Sequence, residues 1–427
     1  MKTGKQHFKY EAGGNIRAGA IASVPAFLLC AVTLMILILD VLFPWMSDTQ
    51  YIIFPAAIRI VSLAGIICMA VVFSTEMSNN SLRISASDIF FILFMLCAFI
   101  STAINGISRD AIFGMAYRYV GVYDLLIFIF VYRYCAGRIS TEMIRYTFLL
   151  AFAALSDLLA AAFIYDQFNG SIAAFSNKAE PAAIYFHGNH YGYFLVMAVI
   201  VSAGLFLYEK GWMFAAGAAS FIMNMAALAL NRSMGSILAA GLVLIIMIIL
   251  SLVKGGSGRR KALIIFATGF AAVLAGLLLL ESLMNDILQM LIELKAILSG
   301  NNDLHAGNGR WGIWQYIAGF VAERPLWGYG CEGIADMMKG YTLTSSPHNE
   351  PLTYAAFFGI PAALLYCAAV LTSVIKGLKT NQCDDACRTA AFAALGYFVS
   401  SIFGVAMFYT APFLFIFLGL SSGNSNE

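Results

Sequence analysis

The 427-residue chain is 61% apolar and only 11% charged, whereas a soluble domain is about half apolar and a quarter charged. Most of its surface must therefore face lipid. A net charge of +2, with no basic arm or RNA-binding motif, excludes a nucleic-acid partner.

The first apolar run, Ala18 to Met46, is longer than a signal-peptide core and lacks a convincing small-x-small cleavage site, so it reads as a retained span. A membrane helix needs about 20 apolar residues. Runs between polar breaks give about twelve such helices, near 18–45, 51–74, 88–105, 118–134, 146–165, 190–207, 212–230, 234–253, 262–280, 351–375, 389–403 and 405–421. The expected fold is thus an all-α, polytopic membrane protein, with residues 1–427 forming a single integral-membrane domain. An even count puts both termini on one side. Sixteen lysines and arginines, among them Lys2, Arg17, Arg138, Lys254, Arg260 and Lys376, fall on that side and eight on the other. The positive-inside rule makes the first side cytoplasmic.

Residues 281–350 then form a long extracytoplasmic loop. "ESLMNDILQMLIELKAIL" carries apolar residues at 284, 287, 288, 291, 294 and 298, the spacing of an amphipathic helix lying on the membrane or capping the bundle. After a polar turn, "RWGIWQYIAGFVAE" reads as a second helix stopped at Arg324-Pro325. A long ordered loop usually carries function.

Arginine is disfavoured outside, so the ones found there need a reason. Arg118 in "MAYRYVG", Arg232 in "LNRSMGS" and Arg310 in "GNGRWGI" each read as lying at a helix N-terminus on the outer face. Free N–H groups and the helix dipole favour an anion there, and a guanidinium adds a fork matched to phosphate oxygens. The plainer alternative is that interfacial arginines snorkel to lipid headgroups. Arg59, inside the second span, is costly unless paired with Asp88, Asp110, Asp124 or substrate.

His348 in "SPHNEPL" begins the tenth span, with Pro347 before it and Pro351 in its first turn. The positive end of a helix disfavours imidazolium, which leaves a neutral ring able to accept a proton. Asn349 can orient the ring or hold a substrate hydroxyl. The alternative is a simple helix cap. "HGNH" spaces His187 and His190 for chelation if helical, but "HGNHYG" reads more simply as a polar loop entering the sixth span, and no zinc motif or disulfide framework is visible among the cysteines.

The two segments "GRWGIWQYIAGFVAERPLWGYG" and "SPHNEPLTYAAFFGIPAALLY" resemble the O-antigen ligase and polymerase family of bacterial membrane glycosyltransferases. The resemblance rests on Arg310, Trp314, Pro325, Gly328, Gly330, His348, Asn349, Leu352 and Gly359. Weaker echoes lie in "GMAYRYVGVYDLL", "HGNHYGYFL" and "NRSMGSILA", the last departing from the family's turn at Asn231 and Met234. The resemblance implies a fold of the type-C glycosyltransferase kind in the bacterial cytoplasmic (inner) membrane, with its active site at the outer face. It implies transfer of a glycan from undecaprenyl diphosphate to a hydroxyl on a glycan, lipid-glycan or protein, without metal or other cofactor. Carried over, Arg232 and Arg310 hold the diphosphate and His348 activates the acceptor. Asn349, Arg118, Trp314 and Glu350 are the expected substrate contacts. A repeat-unit polymerase of the same family and, more remotely, a lipid-linked glycan flippase are the competing readings.

Overall fold

The structure is a computed structural model that describes Arg59 and residues 84–422, apart from 117, 137–141, 170–184, 186, 255–259, 262, 266, 270, 272–280, 300–303, 305, 308, 340–345 and 380–382. The spans expected near 18–45 and 51–74 (Arg59 aside), most of the one near 262–280, and His305 lie outside the described residues.

Every regular element among the described residues is helical. Six helices are long and apolar enough to cross a membrane: α1 (Ala86–Asn105), α4 (Glu142–Asn169), α5 (Gly188–Tyr208), α6 (Gly211–Asn231), α7 (Met234–Lys254) and α12 (Ile360–Lys379). Shorter helices occupy three further expected positions: α3 (Val122–Ala136), α13 (Asp385–Ser401) and α14 (Ala411–Ser421). The remainder are α2 (Arg109–Phe113), α8 (Glu281–Leu298), α9 (Arg310–Glu323), α10 (Ala335–Lys339) and α11 (Glu350–Phe358). Twelve spans are therefore not reached within the described residues.

Helix α5 is the centre of the bundle. It is apolar all round and buried almost throughout, and it packs against α6, α7 and α13. Small residues allow that approach, as they do between membrane helices generally: a Cβ on Gly204 would lie 2.3 Å from the Thr389 hydroxyl of α13. Elsewhere α12 packs on α1 and α14 on α3, and Phe152 joins Phe194, Phe413 and Phe417 in an aromatic core with ring centroids 5.0–5.2 Å apart. Arg59 resolves its cost by pairing with Asp124 (Nε to Oδ1 2.9 Å) and by donating to the Phe113 carbonyl at 2.8 Å. Cys383 and Cys387 at the start of α13 are joined as a disulfide, a bridge that the sequence reading did not anticipate.

The tenth expected span is broken. It divides at Gly359 (φ +93°) into α11 and α12, and the break leaves carbonyls at the end of α11 without helical partners. The segment Pro325–Gly330 supplies them. Tyr329 and Gly330 donate their N–H groups to the carbonyls of Ala356 and Phe357 at 2.9 and 2.8 Å, and Ile360 donates to the Pro325 carbonyl at 2.8 Å. Ser101 of α1 adds a donation to Phe357 at 2.8 Å. The motif residues Pro325, Gly328, Gly330 and Gly359 thus build a joint. Gly359→Ala would combine a left-handed backbone with a Cβ 2.1 Å from the Leu326 carbonyl oxygen. We expect it to cost about 2–4 kcal/mol, read as a lowered melting temperature in detergent.

Candidate active site

At one end of the bundle α4 finishes, α5 begins, and the chain turns from α6 into α7. These ends enclose a cleft of about 600 Å³, closed on another side by α8 and by the turn leading into α9. Its lining includes Gln167, His187, Asn189, Asn231, Arg232, Gln289, Glu293, Gly307, Arg310 and Phe403. Two of the three singled-out arginines therefore share one cavity. Beside Arg232, both amide atoms of Asn231 are buried without a hydrogen-bond partner, a demand that a bound polar ligand would meet.

The structure corrects how those arginines are presented. Arg310 does open α9, but the helix's first N–H groups are spent: Arg310, Trp311 and Gly312 donate to the carbonyls of Gly307, Ala306 and Leu304, each at 3.2 Å. Arg232 is not at a helix start. It caps the C-terminus of α6 in the left-handed conformation (φ 57°), and α7 begins at Met234. Arg118 lies ahead of α3 and forms a buried ion pair with Glu332. Glu332 also accepts the Met115 N–H at 3.4 Å, and burial raises its carboxyl despite the pull of Arg118. At the start of α9, therefore, it is the guanidinium of Arg310 and not free helix N–H groups that can attract an anion to this cleft.

His348 sits just before α11 in the left-handed region (φ 52°), uncommon for a residue with a side chain. It is not part of the cleft lining but stands close enough to feel it. Burial, then Arg310, Arg118 and His187, push its pKa down to about 4. The ring is therefore neutral at physiological pH, the state that can take a proton. The cause is burial and neighbouring cations, where the sequence pointed to a helix dipole.

The residues around it are engaged. Asn349 is the N-cap of α11, its Oδ1 accepting from the Leu352 N–H at 2.9 Å. Trp314 donates its indole N–H to the Pro347 carbonyl at 3.0 Å and packs on Phe403, a cleft residue. Glu350 is buried and accepts hydroxyl hydrogen bonds from Tyr354 (3.2 Å), Tyr366 and Tyr397 (3.4 Å). Three of the four expected substrate contacts, Asn349, Trp314 and Glu350, thus make hydrogen bonds that hold the chain around His348. Of the histidine pair, His187 is the N-cap of α5, its Nδ1 accepting from Asn189, and His190 meets the Tyr409 hydroxyl at 2.7 Å. "HGNH" is thus the entry into α5, the sixth expected span. Among the described residues, no group of three or more His, Cys, Asp or Glu side chains is placed to hold a metal ion.

No curated protein matches the chain. Residues 218–367 match the family model Wzy_C, described as O-antigen ligase. That segment runs from within α6 through the cleft arginines and His348 into α12. The match covers about a third of the chain, and over that segment the chain is similar to the O-antigen ligase family.

Proposed function

We propose that the protein moves an oligo- or polysaccharide from undecaprenyl diphosphate to an acceptor hydroxyl at the outer face of the cytoplasmic membrane. The observation that carries this reading is that Arg232 and Arg310 line one cleft, with His348, whose pKa burial and Arg310 push down to about 4, outside the lining.

The chemistry needs those groups. The acceptor oxygen attacks the anomeric carbon as the bond to the diphosphate oxygen breaks, and the electron pair leaves with the lipid diphosphate. Two guanidinium groups stabilise that developing charge. The acceptor proton passes to a ring nitrogen of His348. A single displacement inverts the anomeric centre. On this reading no metal is required, so EDTA leaves turnover unchanged; a loss restored by zinc or magnesium would count against it. Arg118, held by Glu332, contributes field rather than a direct contact, and Trp314, Asn349 and Glu350 position the base.

Purified protein in nanodiscs, given undecaprenyl diphosphate-linked glycans and a panel of acceptors, should release undecaprenyl diphosphate one for one with glycan transferred. Transfer to a lipid-glycan or protein acceptor identifies a ligase, and growth of the donor glycan a polymerase. Binding without transfer to any acceptor would favour a flippase. Orientation is tested separately: a cysteine placed at position 300 should label only from outside and one at 257 only from inside. The reverse pattern would overturn the topology.

A further inference from the structure

We infer that Glu293 of α8 is the positioning residue for Arg310, and that through it α8 holds the diphosphate site in its binding geometry. This rests on the reading of Arg310 given above. The two carboxylate oxygens of Glu293 have separate tasks. Oε2 accepts the N–H of Gly307 at 2.6 Å, and Oε1 accepts from Gln289 Nε2, one helical turn back, at 2.8 Å. Gly307 (φ +65°) in turn accepts the backbone N–H of Arg310 at 3.2 Å. Glu293 is therefore two hydrogen bonds from the backbone that aims the guanidinium.

The pairing is built for rigidity. A carboxylate accepting a backbone N–H is a charge-assisted bond, about twice as strong as a neutral one. Gln289 fixes the carboxylate plane from its other side, as side chains at i and i+4 of a helix can. Gln289, Glu293, Gly307, Arg310 and Arg232 all border the same cleft. The negative charge on that wall also offsets the mutual repulsion of two guanidinium groups sharing one cavity before the anion arrives.

The test compares wild type with Glu293→Ala and Glu293→Gln for binding of undecaprenyl diphosphate and for kcat and KM with the lipid-linked donor. Glu293→Ala should weaken binding and raise donor KM by about tenfold, the loss of one charge-assisted hydrogen bond. A merely structural role would depress every parameter alike. A positioning role is specific: adding Glu293→Ala to Arg310→Ala should cost nothing more, while its effect should multiply with that of His348→Asn. Glu293→Gln keeps both hydrogen bonds, its oxygen accepting from Gly307 and its amide donating to the Gln289 oxygen, but without the charge, so it should lose less than Glu293→Ala. Unchanged binding and KM in both single variants, with wild type active, would overturn the role of Glu293 and leave the glycosyltransferase reading standing. Equal additivity with Arg310→Ala and His348→Asn would overturn it too. Wild type that neither binds undecaprenyl diphosphate nor transfers glycan would remove both.

Discussion

His348→Asn should give a folded protein whose kcat for glycan transfer falls about a thousandfold, the range typical of losing a general base, with donor binding unchanged. Asparagine is the informative replacement because the position is left-handed (φ 52°), and asparagine tolerates that region better than most residues with a side chain. It keeps polarity and bulk but cannot take a proton. The pH profile supplies a second check. With its pKa pushed down to about 4, His348 stays neutral across the physiological range, so kcat/KM should run level near neutrality and fall only as pH approaches that value. An inflection near the ordinary histidine value of about 6.5 would show that the base is another group. The stability linkage has the same origin: the unfolded chain takes up the proton first, so this histidine costs stability as pH falls from about 6.5 towards 4. His348→Asn should be correspondingly less acid-sensitive in thermal unfolding.

The sequence was most informative where composition alone decides structure. Apolar runs marked the helices that the structure shows, because a lipid-facing helix needs length and hydropathy and little else. Hydropathy is blind to a break inside such a run. "FFGIPAALLY" is apolar throughout, and the only local sign of a break is Gly359 followed by Pro361; the partner of the break is "PLWGYG", some thirty residues earlier. The same limit explains the misplaced arginines. "NRS" resembles a helix start, yet Arg232 ends α6 in the left-handed conformation, two residues before α7 begins. For Arg310 the position was legible, but the turn carbonyls that occupy the N–H groups of α9 come from residues that showed no pattern.

Charged pairs distant in sequence were also hidden. Arg118 with Glu332 and Glu350 with its three tyrosines are set by the folding of the bundle. Glu293 does carry a sequence signal: Gln289 and Glu293 form an i, i+4 polar pair within α8, whose apolar residues Met284, Leu288 and Leu291 are exposed. The apolar stripe marked a helix lying on the membrane or capping the bundle; its polar residues Gln289 and Glu293 line the cleft.

Arg232→Gly should separate stability from activity. A non-glycine residue in the left-handed region costs about 1–2 kcal/mol, and glycine is the favoured residue where a helix ends in that conformation. Glycine brings its own entropic cost on folding, roughly 0.5–1 kcal/mol, so the variant should melt at the same temperature as wild type or slightly above it. Transfer should nevertheless fall by roughly two to three orders of magnitude, the cost of removing one preorganised group from a developing oxyanion. Arg232→Lys and Arg310→Lys refine the point. Each keeps a positive charge in the cleft but loses the planar fork that grips two phosphate oxygens, so each should lose about tenfold or more in kcat/KM and the pair more than either. If field alone were needed, both lysine variants would retain full activity, and the assignment of the diphosphate to these arginines would fail. If Arg232 were present only to snorkel at the membrane surface, the glycine variant would stay active. Loss of transfer at undiminished stability has a different meaning: a side chain is held in an unfavourable backbone conformation because the reaction needs it there.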